Sequence, residues 1–140
     1  MDSAVSYQDA LRLASQQYYA GVQGQLWVPS SQFEVQSVID LKKTFHNDIV
    51  WLGVSDATTE SKWLATAGPY AGSDMSELIY WRDAEPGGGT SKNCAGINND
   101  YRASTSNCTG TVMKYVVEFA CPFGKRFNDQ GTACIGEYNV

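Results

Sequence analysis

The sequence predicts an α+β domain with a largely antiparallel sheet, and three observations support this prediction. The chain has 140 residues, a length that suits one domain with a single core. Its residues are 43% hydrophobic, 12% aromatic and 18% charged, which excludes a disordered segment, a collagen and a coiled coil. Helical periodicity is confined to residues 6–45 and strand-like runs follow it, an order that favours α+β over a parallel α/β fold.

The first predicted helix covers residues 6–19. Ser6 is a suitable N-cap, and Asp9 places an acid in the first turn. Aromatic and apolar residues recur at helical spacing along one face: Tyr7, Leu11, Ala14 and Tyr18. Gly21 ends this helix, and residues 25–28 form a short extended piece after it.

The second predicted helix starts at Ser31. Ser31 and Glu34 have the spacing of a capping box, in which each side chain satisfies a backbone N–H group. An apolar stripe lies along one face of the helix, with the stem of a lysine beside it: Val35, Val38, Ile39, Lys42 and Phe45.

Three runs of apolar and β-branched residues predict strands over residues 49–54, 62–65 and 113–120. The last run is the strongest β signal in the chain. We expect the sheet and the two helices to bury their large side chains together, in one core: Trp51, Trp63, Val117 and Phe119.

A long loop is predicted over residues 67–108. It is rich in Gly, Ser, Asn and Asp, and only residues 78–81 within it look like a strand. A loop of this size inside a compact domain is uncommon, and it is usually functional or held by cross-links. This segment is therefore the first place to look for a binding site.

Charge and motifs exclude several classes of function. Ten basic and fifteen acidic residues give a formal net charge of −5, whereas nucleic-acid and anionic-membrane binding need a basic face. No apolar run approaches the roughly 20 residues that span a bilayer, so no membrane insertion is expected.

The first residues lack the basic start and apolar core of a signal peptide, so Met1 is interpreted as an internal start. His46 is the sole histidine and no Gly-x-Ser-x-Gly motif accompanies it, so the chain is not expected to be an enzyme.

The cysteines indicate an oxidising compartment. All four lie in the last third of the chain: Cys94, Cys108, Cys121 and Cys134. There is no Cys-x-x-Cys motif and only one histidine, so a zinc site is not expected. Two disulfides, and an extracellular or secretory location, fit these residues better, and three pairings are possible. Asn107, Cys108 and Thr109 also form a glycosylation sequon.

An ordered set of short motifs resembles the C-type lectin-like domain family between Tyr7 and Cys121. The carriers of this resemblance follow the family's order along the chain: Tyr7-x-x-Ala10, Gly24-x-Leu26, Pro29-Ser30-Ser31-x-x-Glu34, Trp51-Leu52-Gly53-Val54, Asp56, Glu60, Trp63, Tyr80-Trp81, Glu85-Pro86, Cys94, Cys108 and Phe119-Ala120-Cys121. The resemblance implies two helices flanking antiparallel sheets, with a long loop stapled by a disulfide.

The resemblance also implies which cysteines pair. Cys94 and Cys108 have the interval of the pair that staples the family's long loop, which gives a Cys94–Cys108 bond. The family's first-helix cysteine is replaced by Ala14, so the partner left for Cys121 is Cys134. We therefore expect a C-type lectin-like domain over residues 1–121 and a disulfide-closed tail over 122–140. The tail resembles the start of a Cys-rich module in a larger, multidomain protein.

The family's calcium motif is mostly missing. Calcium needs about six to eight oxygen ligands, which calcium-dependent members draw from Glu-Pro-Asn, an acid before the loop cysteine and Trp-Asn-Asp. Glu85 remains, but Gly87 and Lys92 replace two donors, and residues 103–105 read Ala-Ser-Thr. The resemblance thus implies no calcium and no calcium-dependent sugar site. An alternative places the Asn-Asp pair of the motif, shifted in register, within residues 98–100.

A second, auxiliary calcium position of the family matches only in part. Its four positions read Asp56, Glu60, Gly88 and Asn93. We interpret Asp56 as a turn residue and Glu60 as a solvated charge; if calcium is bound after all, Glu85, Asp56 and Glu60 are the candidate ligands. Lys92 is expected to pair with Glu85 in place of the ion, an interaction worth about 0–1 kcal/mol.

The function indicated is an extracellular recognition or adhesion module that binds a protein or glycan on a cell surface or in a matrix, without calcium. Loops on a rigid scaffold commonly carry binding function, and Tyr and Arg are enriched at binding hot spots. The candidate contact residues come from the long loop: Tyr80, Glu85, Lys92, Tyr101, Arg102, Ser104 and Thr105. Two alternatives remain, a calcium-dependent carbohydrate-binding lectin and a structural spacer of a larger adhesin.

Overall fold

The computed structural model describes residues 3–87, 89–122 and 124–136. Met1, Gly88 and the last residues of the predicted tail lie outside these ranges. The α-helices are α1 (Tyr7–Ser15) and α2 (Gln32–Lys43), and two short 3₁₀ helices lie at Ser76–Leu78 and Gly89–Ser91. The strands are β1 (Tyr18–Tyr19), β2 (Val22–Gln23), β3 (Gln25–Leu26), β4 (Val50–Ser55), β5 (Leu64–Ala65), β6 (Cys94–Ile97), β7 (Ala103–Ser106), β8 (Lys114–Tyr115), β9 (Val117–Glu118), β10 (Lys125–Phe127) and β11 (Cys134–Gly136).

The main sheet has the strand order β5-β4-β6-β7, and β8 also pairs with β4. The pairs within this order are antiparallel, whereas β8 runs parallel to β4 and places Lys114 opposite Val50. Antiparallel pairs β1–β2, β3–β9 and β10–β11 form three small sheets. The predicted α+β architecture with largely antiparallel sheets is confirmed.

The buried residues form two clusters on opposite faces of β4. Val50, Leu52 and Val54 contribute to the cluster that contains α2 residues, and Trp51 contributes to the cluster that contains α1 residues. This division follows from the strand itself, because successive side chains point to opposite faces. The expectation of one joint aromatic core was therefore wrong, since Trp63 lies in the other cluster from Trp51.

A glycine in β4 allows the backbone of residues 26 and 27 to approach this strand closely. A Cβ atom on Gly53 would lie 2.5 Å from the carbonyl oxygen of Leu26, so only glycine fits here. The Gly53 N–H group donates to the carbonyl of Trp27 at 2.8 Å. The segment after β3 is thereby fixed across the centre of the main sheet.

Helix α1 begins as predicted and ends earlier than predicted. The Ser6 hydroxyl accepts a hydrogen bond from the Asp9 N–H group at 3.2 Å. The helix ends at Ser15, and Tyr18 is 66% exposed in β1 and not part of the buried stripe. The prediction of a helix to residue 19 was wrong because the chain turns back there into the β1–β2 pair.

Helix α2 keeps its predicted start, but the capping box differs in one partner. Ser31 accepts a hydrogen bond from the Glu34 N–H group, as expected. The Glu34 carboxylate accepts from the N–H group of Ser30 and from the indole of Trp27, and not from Ser31. Phe45 lies beyond the end of the helix at Lys43 and is 79% exposed, so the predicted extension of the apolar stripe was wrong.

The long predicted loop contains two core strands, β6 and β7. Every residue of β6 is buried, because this strand lies between β4 and β7 in the main sheet. The expected strand at 78–81 is reduced to a single bridge between Trp81 and Ala103. The run at 113–120 is divided between β8 and β9, because the carbonyl of the intervening Val116 bonds to Trp27.

The cysteines pair as Cys94–Cys108 and Cys121–Cys134. Cys94 is fully buried within β6, so the first bond ties the centre of the sheet to the segment after β7. The second bond closes the β10–β11 pair. No helix of the described ranges has the length and apolar character needed to cross a membrane.

Candidate functional site

Glu85 uses one oxygen atom to hold the backbone of the long loop. Its Oε1 accepts hydrogen bonds from the Gly87 N–H group at 2.8 Å, the Thr105 N–H group at 3.1 Å and the Thr105 hydroxyl at 2.7 Å. The Thr105 hydroxyl also contacts the carbonyl of Gly87 at 3.1 Å. Glu85 therefore caps the edge of β7, and the buried Thr105 is not available as a contact residue.

The surroundings of Glu85 do not fit a calcium ion. Burial of the carboxyl raises its pKa, but the hydrogen bonds from Thr105 and Gly87 and the charge of Lys92 hold the pKa of Glu85 below its usual value. These neighbours supply donors to the carboxylate, whereas calcium needs further oxygen ligands. The described ion pairs do not include the expected Glu85–Lys92 pair, so that expectation was wrong.

The auxiliary position has a different donor set. Asp56 is buried, and its Oδ2 accepts from the Ser61 N–H group at 3.0 Å. Its Oδ1 and the Oδ1 of Asn93 are buried and lack a hydrogen-bond partner. A hydrogen bond with Asp56 raises the pKa of Glu60, which is the behaviour of two carboxyl groups that share a site. Asp56 is therefore not the simple turn residue that the sequence suggested.

These three residues offer the oxygen atoms that a hard cation prefers. The Asp56 N–H group donates to the Asn93 carbonyl at 3.2 Å, so the two residues are adjacent. Two carboxylates and an amide oxygen are suitable calcium ligands when water completes the shell. No group of three or more His, Cys, Asp or Glu side chains in the described ranges is arranged to hold a metal, so Asn93 is needed for any such site.

The turn between β6 and β7 is fastened to α2. The Lys42 ammonium donates to Asn99 Oδ1 and to the carbonyl of Asp48, each at 2.6 Å. The Tyr101 hydroxyl donates to Asp40 at 2.7 Å, and the Lys43 ammonium lies 4.8 Å from the centre of the Tyr101 ring. These bonds hold Tyr101 at a φ of 68°, which is unusual for an aromatic residue. Tyr101 is thus an anchor of the turn.

The same contacts argue against the shifted calcium motif at residues 98–100. The side-chain oxygen of Asn99 already accepts from an ammonium group. Asp100 Oδ2 binds the guanidinium of Arg82 at 2.7 Å, and its Oδ1 accepts from the Arg102 N–H group at 3.2 Å. Cationic side chains occupy both oxygen donors that the alternative would need.

An arginine–tyrosine face lies beside this turn and consists of Tyr80, Arg82, Asp100 and Arg102. The Arg102 guanidinium lies 5.3 Å from the centre of the Tyr80 ring, and Tyr80 is 53% exposed. Ala103 fixes the backbone of the face, because its N–H group donates to the Tyr80 carbonyl at 2.7 Å and its carbonyl accepts from the Arg82 N–H group at 2.9 Å. No carboxylate in the described ranges forms an ion pair with Arg102.

Of the residues proposed from sequence, the structure brings Tyr80 and Arg102 together. Ser104 is half-buried in β7, and Lys92 is exposed outside this face. Arg82 and Asp100 were missed, although Arg82 is two residues from Tyr80 on an extended segment. Residues at that spacing share one side of the chain, and this signal could have found Arg82.

Comparisons with solved structures show the fold. No protein-family model and no curated protein matches the chain. The carbohydrate-recognition domain of the mouse scavenger receptor C-type lectin has a TM-score of 0.67 and 18% identity, covering 84% of this chain and 82% of that chain. The C-type lectin CEL-I from Cucumaria echinata has a TM-score of 0.73 and 13% identity, covering 86% of each chain.

A third similar structure is described as a calcium-independent type II antifreeze protein. It has a TM-score of 0.65 and 19% identity, and the alignment covers 85% of this chain and 82% of that chain. The descriptions of these three structures name a carbohydrate-recognition domain, a C-type lectin and an antifreeze protein, and no enzyme. Helices, sheets and the disulfide across the long loop thus agree with the motifs, and the chain has the C-type lectin-like fold.

Proposed function

We propose that this domain is a recognition module that binds a glycan or protein ligand through the arginine–tyrosine face, without calcium. The observation that carries the proposal is the Arg102 guanidinium, which is stacked on Tyr80 and has no carboxylate partner in the described ranges. A positioned guanidinium loses little side-chain entropy on binding and presents a planar set of donors to a carboxylate or sulfate group. The expected ligand therefore carries an anionic group.

The charge of this face differs from that of the whole molecule. Arg82 and Arg102 contribute two positive charges and Asp100 one negative charge, in a chain with a formal net charge of −5. The face is thus locally basic, which favours an anionic ligand over a neutral one and guides its approach. The resemblance to lectin domains supports a glycan as the ligand class, at an extracellular location.

A glycan array that includes sialylated, sulfated and neutral glycans tests this proposal. We expect binding of anionic glycans that is the same with calcium and with a chelator, and at least about tenfold weaker in Arg102→Ala and Tyr80→Ala. Arg12→Ala is the matched control, because it removes an exposed arginine of α1 that pairs with Asp9. Binding that disappears in the chelator would support the calcium-dependent lectin. No binding on the array or in a pull-down would support the structural spacer.

A second proposal concerns a structural calcium ion at Asp56, Glu60 and Asn93, favoured by the two buried oxygen atoms without partners. Extracellular modules bind calcium with dissociation constants of about 0.1–1 mM. At a tenfold excess over the dissociation constant, calcium would stabilise the fold by about 1.4 kcal/mol. We expect millimolar calcium to raise the melting temperature of the wild type and of Glu85→Gln, but not that of Asp56→Asn.

A further inference from the structure

We propose that Asn107 is an N-glycosylation site. Asn107-Cys108-Thr109 is the only Asn-x-Ser/Thr sequence in the chain. The donor would be an oligosaccharide on a lipid pyrophosphate. The Asn107 Nδ2 atom forms a bond to the anomeric carbon, the bond from that carbon to the pyrophosphate oxygen breaks, the lipid pyrophosphate leaves and one amide proton is lost. The proposal does not depend on the arginine–tyrosine face.

The geometry of the turn leaves the acceptor atom free. Asn107 is exposed after the end of β7. Its Oδ1 accepts from the Thr109 N–H group at 2.8 Å, the Thr109 hydroxyl at 3.0 Å and the Gly110 N–H group at 3.0 Å. All three bonds use the oxygen, and Nδ2 has no acceptor among the described residues. The two side chains that define the sequon are thus adjacent, and the residue that carries the reactive nitrogen is exposed.

The fold has room for a glycan at this position. Thr109 and Gly110 are also exposed, and a Cβ atom built on Gly110 would meet only the Asn107 side chain, at 3.8 Å. No core residue would be displaced. Arg102 precedes β7 and Asn107 follows it, so at about 3.3 Å per residue the glycan would start about 16 Å from the arginine–tyrosine face. The attachment point therefore lies at the other end of β7 from Arg102.

The middle residue of the sequon makes the modification compete with folding. Cys108 is bonded to Cys94, which is fully buried in β6. Once this bond has formed, the turn is fixed and the sequon cannot be drawn out as a flexible segment into a transferase active site. Cys94 precedes Cys108 in the chain and is available as soon as Cys108 appears. Glycosylation therefore has to occur before the bond closes, and we expect partial occupancy in the wild type.

Expression of the full chain behind an added secretion signal in cultured animal cells tests the inference. Treatment with peptide-N-glycosidase measures the fraction of molecules that lose one glycan mass. We expect a sensitive fraction in the wild type and in Thr109→Ser, none in Asn107→Gln or Thr109→Ala, and a larger fraction in Cys94→Ala, where the bond cannot form.

The Cys94→Ala variant keeps the test decisive even if it does not fold, because the transferase acts on the unfolded chain and the cell lysate can be analysed. The double variant with Asn107→Gln is its control. The inference would be overturned if both the wild type and Cys94→Ala lacked a glycan that the glycosidase removes. It would also be overturned if Thr109→Ala still carried such a glycan.

Discussion

Glu118 is a partly buried carboxylate that joins two segments of backbone. Its Oε1 accepts from the Gln25 side-chain amide at 2.8 Å and from the Val28 N–H group at 2.9 Å. Burial raises the pKa of Glu118 above its ordinary value, and the nearby charge of Glu34 acts in the same direction, whereas the two hydrogen bonds oppose them. At neutral pH the ionised form is therefore held in the fold at a cost in stability.

We predict that Glu118→Gln stabilises the domain at pH 7 and has no effect at low pH. The pKa of Glu118 is higher in the folded protein than in the unfolded chain. The stabilising contribution of this group is therefore complete below its pKa in the unfolded chain, and it is lost as the pH rises through its pKa in the folded protein. Glutamine keeps the oxygen that accepts the two hydrogen bonds and carries no charge. The stability of the variant therefore does not fall as the pH rises through the pKa of Glu118.

Urea denaturation of both proteins between pH 3.5 and 8 measures this difference. The other carboxyl groups titrate in both proteins and cancel in the comparison. We expect the two free energies of unfolding to converge near pH 4 and to separate as the pH rises. A variant that is less stable than the wild type at pH 7 would show that the negative charge of Glu118 is favourable.

Tyr19 connects the β1–β2 pair to the C-terminal tail. Its ring centre lies 5.8 Å from that of Phe119 and 5.8 Å from that of Phe127 in β10. Ala14 is buried in α1 and Cys121 bonds to Cys134, so no disulfide joins α1 to the C-terminal elements. Tyr19 therefore supplies a noncovalent link between the N-terminal and C-terminal elements.

We predict that Tyr19→Ala loosens the tail. Each aromatic pair contributes about 0.5–1.5 kcal/mol beyond its buried area, so loss of both pairs raises the open fraction of the tail about tenfold or more. Trypsin can cut at Lys125 and Arg126, which are exposed in β10, and the rate follows the open fraction when opening is fast. Mass spectrometry after reduction detects this cut, because Cys121–Cys134 holds the pieces together.

Tyr18→Ala is the matched control for this experiment. Tyr18 is the neighbouring tyrosine of β1 and is 66% exposed, with no ring pair to another aromatic residue in the described part of the chain. We expect its tail to be cut at the wild-type rate. Equal rates in Tyr19→Ala and the wild type would mean that the backbone pairing of β10 and β11 holds the tail without the aromatic contacts.

Local signals predicted where elements begin better than where they end. The caps Ser6 and Ser31 were predicted correctly because an N-cap is a local interaction. In each cap the side-chain oxygen accepts a hydrogen bond from the N–H group three residues later. The end of α1 depends on the pairing of β1 with β2, and the helical spacing of Tyr18 did not show it. Strand β6 was missed because small residues such as Ala95 and Gly96 have no strong β propensity. This segment forms a strand because it lies between β4 and β7 and pairs with both.

The candidate site was predictable in its residue types and only partly in its geometry. Tyr80 and Arg102 followed from the enrichment of Tyr and Arg at binding surfaces. Tyr101 satisfied the same rule, but its hydroxyl is used by Asp40, a contact between residues 61 positions apart. The three bonds to Glu85 Oε1 likewise depend on the close approach of Thr105, 20 residues away, which spacing alone does not reveal.

The whole molecule has two disulfide loops of nearly equal length in different surroundings. The bonded cysteines are 14 residues apart in Cys94–Cys108 and 13 residues apart in Cys121–Cys134. Chain entropy alone gives each loop about 3 kcal/mol. Cys94 belongs to a core cluster, whereas no described residue after Val117 is a member of either cluster. The two bonds should therefore differ in their effect on global stability.

We predict that Cys94→Ala with Cys108→Ala lowers the free energy of unfolding by about 3 kcal/mol or more, because the loop it releases contains β6 and β7 of the main sheet. We predict that Cys121→Ala with Cys134→Ala lowers it by less than about 1 kcal/mol, because a tail that opens before the core unfolds does not contribute its loop entropy to the global transition. Urea denaturation followed by tryptophan fluorescence reports on the core, where Trp27, Trp51 and Trp63 are buried. Equal losses in the two double variants would instead show that the tail and the core unfold together, and would contradict the expected boundary near residue 121.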